Sequence, residues 1–515
     1  MFYLRTVYYI TGLWLCLFGV QAANGQAKVF PSPAADGVVM PRRDTVPEPL
    51  KETVQKLIKD SLPQPPAQQP VIGAVTDTAY IVVRNIEVAG NKRTRTSIVL
   101  RELGVRAGDT IRLRTLAETL ETNRKQLLNT SLFLNVVANV RNWNGNAADL
   151  SFEVWERWYL LAFPIFKLAD RNFNQWWVEK NHSLDRVNVG LKVFQDNLTG
   201  RNDDLYGDVT VGYTQKFLLG YNLPYIDKKL RHGVGFVVSY SRNREINFIS
   251  DYNKQQFYRE DDFLRRQFSA SATYTYRKAI STKHQLYIGY YNESVNDTVA
   301  RLNPDYLGGG RTDIRYLELG YRLQFIQADS WQYPLVGRSF TGELSKVGLA
   351  GLSDLDFVRM RIKAARYWQL AKKTYGALSV MGQTKLPDKQ PYIGVRAMGY
   401  GDDYLRGLEY YVVDGTAFFI LKSTLRRELL NFKVHLPIVP KKFSNLPIRV
   451  LAKAYGDMGY GYSRQSLHGS LNNKMLYTAG LGLDVVSFYD TCIRFEYSIN
   501  QMGEKGLFLH AKLDM

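Results

Sequence analysis

Tyr316-Leu317-Glu318-Leu319-Gly320-Tyr321-Arg322-Leu323-Gln324-Phe325 alternates without a break. The odd positions are Leu, Leu, Tyr, Leu and Phe; the even ones are Tyr, Glu, Gly, Arg and Gln. Successive side chains of a strand point to opposite faces, so this stretch has one apolar and one polar face. The pattern recurs. Val358, Met360 and Ile362 oppose Arg359, Arg361 and Lys363, and Ile493, Phe495 and Tyr497 oppose Arg494, Glu496 and Ser498. Between Asp208 and Phe217, the residues Val209, Val211, Tyr213 and Phe217 share one phase, with Gln215 the exception.

Working outward from that stretch, about sixteen such segments follow one another from Arg157 onward. They begin near Trp158, Arg186, Asp208, Leu218, His232, Phe263, His284, Asp313, Gly337, Leu355, Thr374, Thr416, Ile448, Leu476, Cys492 and Gly506. Roughly ten residues is the length a tilted strand needs to cross a bilayer. Charge ladders on one face only suit a wet lumen inside and lipid outside. A soluble sandwich would turn its apolar face inward and space its connections more evenly. An even count lets the first strand pair with the last and leaves no open edge. Trp176-Trp177, Tyr290-Tyr291 and Tyr410-Tyr411 lie near segment ends, as interface girdles do.

Composition agrees with this reading. The 515 residues include 67 Lys and Arg against 48 Asp and Glu, a formal charge of +19. The basic residues are spread along the chain, which argues for lumen-lining or solvated positions and against nucleic acid. With 34 Tyr, 25 Phe and 40 Gly against 2 Cys, the chain is β-rich and lacks a disulfide framework. Residues 1–23 read as a secretory signal peptide: Arg5 opens it, Ile10 to Val20 is the apolar core, and Val20-Gln21-Ala22 precedes the cut. Its removal leaves Cys492 alone. Beyond it no apolar run reaches the length of a spanning helix, so entry into a membrane requires a barrel.

Residues 24–78 form a Pro-rich linker, extended by composition. A short helix over Leu50 to Ile58 is the one element expected within it. Residues 79–156 read as a small β-α-α-β-β module. Its first strand covers Ile81 to Val88 and ends at Gly90-Asn91. Thr94 or Thr96 is placed to cap a helix carrying Ile98, Val99 and Leu103. A second helix runs from about Leu113 to Leu132 with Leu116, Leu120 and Leu127 on one side. Leu134, Val136, Ala138 and Val140 alternate, Asn144-Gly145-Asn146 turns the chain, and Leu150, Phe152 and Val154 close the sheet.

Ile86-x-Val88-x-Gly90-Asn91, the helix ending in Ser131-Leu132-Phe133 and the strand ending in Glu156 resemble a POTRA domain. That domain precedes the barrel in the BamA/TamA-type outer-membrane assembly family. The fold expected is therefore mainly β: a sixteen-stranded antiparallel transmembrane barrel over 157–515 behind one POTRA-like domain. Tyr404-Leu405-Arg406-Gly407-Leu408, in the long connection between the eleventh and twelfth segments, resembles the family's arginine–glycine signature. An Arg-Gly pair also fits an ordinary solvated turn. The resemblance implies instead that the loop folds into the lumen and Arg406 meets an acidic group on the wall. Tyr455-Gly456-Asp457-Met458-Gly459 is similar to the family's inner-wall aspartate motif, and by parity Asp457 shares a face with Arg449 and Lys453. Where the family often has a Glu two residues before an Arg, this chain has Thr424 before Arg426. Glu428 is nearby but lies one residue out of phase with any inward set containing Arg427, which leaves a second acidic partner open.

Pro164 cannot donate a ladder hydrogen bond, which places the first strand at an edge or a weak pairing. The last segment is short and carries Leu507 and Leu509. Either this seam is weak, as the family's lateral gate is, or Pro164 marks a bulge with no role. The resemblance implies assembly or insertion of client strands, with a polypeptide secretion pore of the same architecture as the alternative. Expected partners are unfolded outer-membrane or secreted proteins, outer-membrane lipid and periplasmic accessory proteins, not nucleic acid. The location implied is the outer membrane of a Gram-negative bacterium, with the N-terminal module in the periplasm. His182, His232, His284, His435, His468 and His510 make no catalytic or metal constellation in sequence, so neither an enzyme nor a cofactor or metal is expected.

Overall fold

The computed structural model of the protein describes residues 79–168, 187–349, 351–435, 445–464, 469–487 and 492–512. The signal segment, the linker with its short helix, and Trp176-Trp177 lie outside the described residues.

The module comprises β1 (Tyr80–Ala89), α1 (Thr96–Arg101), β2 (Thr110–Arg112), α2 (Leu113–Leu128), β3 (Phe133–Asn144) and β4 (Ala147–Glu156). The sheet order is β2-β1-β4-β3, with β1 parallel to β4. Ile81, Val83, Ile98, Leu127, Phe133, Leu150 and Phe152 fill the space between sheet and helices. Three details differ from expectation. A short β2 is added, because Ile111 pairs with Ile81 and brings another apolar residue onto the core. The second helix stops at Leu128, and a register shift after Phe133 puts that ring, rather than Leu134, inside. Neither threonine caps α1: Arg95 is the N-cap without a side-chain hydrogen bond. The Thr94 hydroxyl is instead shared with Tyr159 and Asn197 at 3.0 and 2.9 Å.

The main sheet begins with β5 (Leu160–Leu168), β6 (Val187–Gln195), β7 (Asp204–Gly212), β8 (Thr214–Leu223) and β9 (His232–Asn243). A separate hairpin, β10 (Glu245–Asp251) and β11 (Lys254–Arg259), follows. The sheet resumes with β12 (Arg265–Tyr276), β13 (Thr282–Val295), β14 (Asp313–Ala328), β15 (Gly337–Val347), β16 (Phe357–Ala371) and β17 (Thr374–Leu386), with α3 (Asp297–Leu302) between β13 and β14. The next connection holds the small pair β18 (Arg396–Met398) and β19 (Val413–Asp414). Last come β20 (Ala417–His435), β21 (Asn445–Tyr462), β22 (Met475–Val486), β23 (Cys492–Asn500) and β24 (Lys505–Lys512).

Sixteen strands pair in chain order, every neighbour antiparallel. The sheet curls into a barrel: the Tyr333 hydroxyl, on the turn after β14, donates to Asp484 on β22 at 2.6 Å. Leu319, Tyr321, Val358, Met360, Phe495 and Tyr497 face outward and exposed, while Glu318 and Glu496 are buried within. Among the described residues no helix is long and apolar enough to cross a membrane.

Two expectations about faces change. Val209 and Phe217 share the outer face because they are cross-strand partners of a tight hairpin, not neighbours on one strand. The turn falls at Gly212-Tyr213, and Tyr213 is buried. Tyr291 is no girdle residue: it turns inward and stacks on Tyr316 at 4.9 Å. Tyr411 lies in a loop, its hydroxyl donating to Glu504.

The ends of the strand order lie at the seam. β5 and β24 are the two ends of the strand order, and among the described residues no ladder joins them. Pro164 sits on the first of these edges and faces only β6, opposite Leu191. On the other edge Leu507 and Leu509 are exposed. Their described spans are nine and eight residues.

Candidate functional site: an inward loop beside the seam

Leu405 and Leu408 turn the β17–β20 connection inward. Both are buried against Met381, Phe418, Ile420 and Leu476 of the inner wall. Two glycines make room. Gly407 has φ +91°, and a Cβ there would lie 2.8 Å from that of Ser498 on β23. A Cβ on Gly459 would meet the Leu405 side chain at 2.7 Å. Both substitutions would push the loop off the wall.

Arg406 is carried to the wall by this packing. Its Nε donates to Asp457 Oδ2 at 2.8 Å and Nη2 to Oδ1 at 2.5 Å, a fork on a fork. Nη1 donates to Thr424 Oγ1 at 3.1 Å, and Nη2 also reaches the Ser423 carbonyl at 3.2 Å. The guanidinium lies 4.0 Å from the centre of the Tyr455 ring. Arg406 is 8% exposed and Asp457 2%. Burying two charges is costly, and it is offset here by nearly complete hydrogen bonding of the guanidinium.

Thr424 fills the position where the family pattern has a carboxylate. One carboxylate already balances one guanidinium, so a neutral acceptor completes the shell without a buried surplus charge. Glu428 does point inward, in one set with Thr424 and Arg426, while Arg427 faces out. Arg426, not Arg427, shares the inward phase of this strand. Glu428 accepts from Arg449 at 2.9 Å and has no part in the Arg406 shell.

Tyr404 extends the loop toward the seam. Its ring stacks on His510 of β24 at 5.6 Å, and Lys422 lies 4.5 Å above it. A second inner-wall network was not singled out from sequence: Lys453 bridges Asp484 at 2.5 Å and Glu496 at 2.7 Å. Parity on β21 to β23 would have marked all three as inward. Only the fold reveals that they meet.

At the opposite end from the Arg406 loop's outer turns, the module is seated on the barrel turns. Arg277, after β12, donates to both oxygens of Glu102 at 2.5 and 2.7 Å. Tyr225, after β8, donates to the same carboxylate at 2.6 Å. Burial pushes Glu102 up, but the Arg277 charge and the hydrogen bonds from Arg277 and Tyr225 outweigh it and hold the carboxyl below its usual range. Tyr225 is pushed up, first by burial and then by the Glu102 charge. Arg101 donates to the carbonyls of Leu230 and Arg277, and Asn129 to that of Ala328. A cavity of about 1170 Å³ lies between α2 and the strand ends, lined by Lys125, Gln126, Lys283, Arg338 and Trp368 among others.

Residues 81–157 match the POTRA family, described as a surface antigen variable number repeat. No curated protein sequence matches the chain. Among solved structures the chain is similar to BamA from Haemophilus ducreyi lacking POTRA domains 1-3, at 16% identity over 83% of each chain with a TM-score of 0.47. It is also similar to CdiB from Escherichia coli, at 12% identity over 90% of this chain and 96% of that one, with a TM-score of 0.46. CdiB from Acinetobacter baumannii matches at 12% identity over 84% and 73%, with a TM-score of 0.45. The chain thus carries one POTRA module ahead of a sixteen-stranded antiparallel barrel, with an Arg-Gly loop fastened to the inner wall.

Proposed function

We propose that this protein assembles client proteins in the outer membrane of a Gram-negative bacterium, with the POTRA module in the periplasm. The observation that carries the reading is the seam. Among the described residues β5 and β24 each present one unpaired edge, and an extended client segment can pair with such an edge by strand addition. The outward apolar band would leave that edge open to lipid. The POTRA module offers a second sheet edge, β3, on which an unfolded client can be held first. Arg406 and Asp457 fix the loop that backs β23 and β24, so their role is to position the seam from inside. The work is pairing and release of strands, without covalent chemistry or a cofactor.

A secretion pore of the same architecture would pass its client through the lumen. The Arg406 loop packed on the inner wall and the module seated on the periplasmic turns both favour the seam over the lumen. The test is depletion of the protein followed by a census of outer-membrane proteins, with rescue by seam variants. A cysteine scan along β5 and β24 should find pairs whose oxidation blocks rescue and whose reduction restores it. If every oxidised pair rescues fully while one substrate is lost from the medium, the chain is a secretion pore.

A further inference from the structure

His510 of β24, Glu496 of β23 and Glu409 of the inward loop come together at the seam. His510 Nε2 lies 3.4 Å from Glu409 Oε1 and 3.3 Å from Glu496 Oε2, and all three atoms fall within 4.8 Å of one another. Two of them, Glu409 Oε1 and His510 Nε2, are shut off from solvent and make no hydrogen bond. A buried polar atom left so is costly unless something else occupies it.

We propose that these three residues bind a divalent transition-metal ion of the zinc class. Ligand bonds of about 2.0–2.1 Å in a tetrahedral arrangement separate neighbouring donor atoms by about 3.3–3.4 Å. The two histidine–carboxylate separations already have that value. The carboxylate pair closes by rotation about the terminal torsion of Glu409, a soft one. One imidazole and two carboxylates, with a fourth position left for water, is a zinc-type donor set.

The outer contacts fit as well. Each carboxylate uses its other oxygen elsewhere: Glu409 Oε2 accepts the Gly407 N–H at 2.7 Å, and Glu496 Oε1 accepts from Lys453 at 2.7 Å. Such partners aim the free oxygen at the ion. The stacked Tyr404 ring fixes the imidazole from one side. An ion here would join the edge strand to its neighbour and to the Arg-Gly loop, so release of β24 would require loss of a ligand.

The experiment uses the full chain, tag-free in detergent micelles and stripped with EDTA, titrated with Zn(II) by calorimetry and with Co(II) by visible absorption. One equivalent per chain is expected, with tetrahedral Co(II) bands. His510→Ala and the near-isosteric Glu409→Gln should each weaken binding at least as much as the roughly 10–100-fold seen on removing an outer-shell partner. Hydrogen exchange over residues 505–512 should slow on adding Zn(II) in the parent and not in His510→Ala. Absence of saturable binding by the parent protein overturns the site, leaving a histidine–carboxylate ion pair only; so does unchanged affinity in both variants. Binding is read without any client, so failure here is separable from failure of the proposed function.

Discussion

Arg406 is one residue among 67 basic ones, yet its removal should be felt across the seam. Asp457 and Arg406 are both buried, so truncating either leaves the other charge unpaired, at a cost of about 3–5 kcal/mol. Arg406→Ala should lower the urea midpoint of the folded barrel and release the loop to protease. Arg406→Lys should fall between the two, since an ammonium keeps the charge but cannot make the forked contact. Equal stability of Arg406→Ala and the parent would mean the loop is held by Leu405 and Leu408 alone. Thr424→Val removes one neutral acceptor from the guanidinium and should cost only about 1–3 kcal/mol. The inward placement of Asp457 was legible because parity on β21 is unbroken from Arg449 onward. Thr424 was not legible as a partner, because a hydroxyl announces no charge and its value depends on where Nη1 ends up. His510 was less legible still: its neighbours come from a loop 101 residues before it (510 − 409) and a strand 14 residues before it (510 − 496), and no spacing rule links them.

At the scale of elements, the strand starts were readable and the ends of the sheet were not. Each strand carries its own period-two record, so β14 or β16 could be placed without knowledge of its neighbours. Pairing across the seam has no such record. It depends on how two short segments meet after fourteen intervening strands, and an even count permits closure without enforcing it. The hairpin at Gly212-Tyr213 went astray for a related reason: cross-strand partners can mimic the phase of one strand. The edges make a direct prediction. An edge strand of an antiparallel pair has alternate amides without partners. In hydrogen exchange, roughly half the amides of β24 and β5 should exchange orders of magnitude faster than those of β13 or β14, which are paired on both sides. Uniform protection of β24 would mean that the seam is closed by a ladder in solution.

The module and the barrel are joined by buried polar contacts, among them the Thr94–Asn197 pair and the Glu102, Arg277 and Tyr225 cluster. Each residue belongs to a different segment, so none could be assigned a partner from sequence, although the fold of the module itself could be read. The cluster sets the pH range over which the module stays seated. Glu102 is held below its ordinary range, so its contribution is fully present above the free carboxylate value of about 4.3 and is lost as pH falls through the lower, docked value. Tyr225 is displaced upward, so the protonated phenol it needs to donate is favoured by docking; that contribution holds below the free tyrosine value of about 10 and fades above it. Docking should therefore be flat between about pH 5 and 9 and weaken on the acid side first. Glu102→Gln keeps the shape but leaves Arg277 without a counter-charge, and should loosen the module at every pH in that plateau. Labels placed on α2 and on the turn after β14, which meet through Asn129 and Ala328, would report the separation by pulsed dipolar spectroscopy. A broadened distance in Glu102→Gln at pH 7, matching that of the parent below pH 4, is the expected result. A narrow distance unchanged by either treatment would place the hold elsewhere, in the Arg101 contacts to the Leu230 and Arg277 carbonyls, which do not titrate.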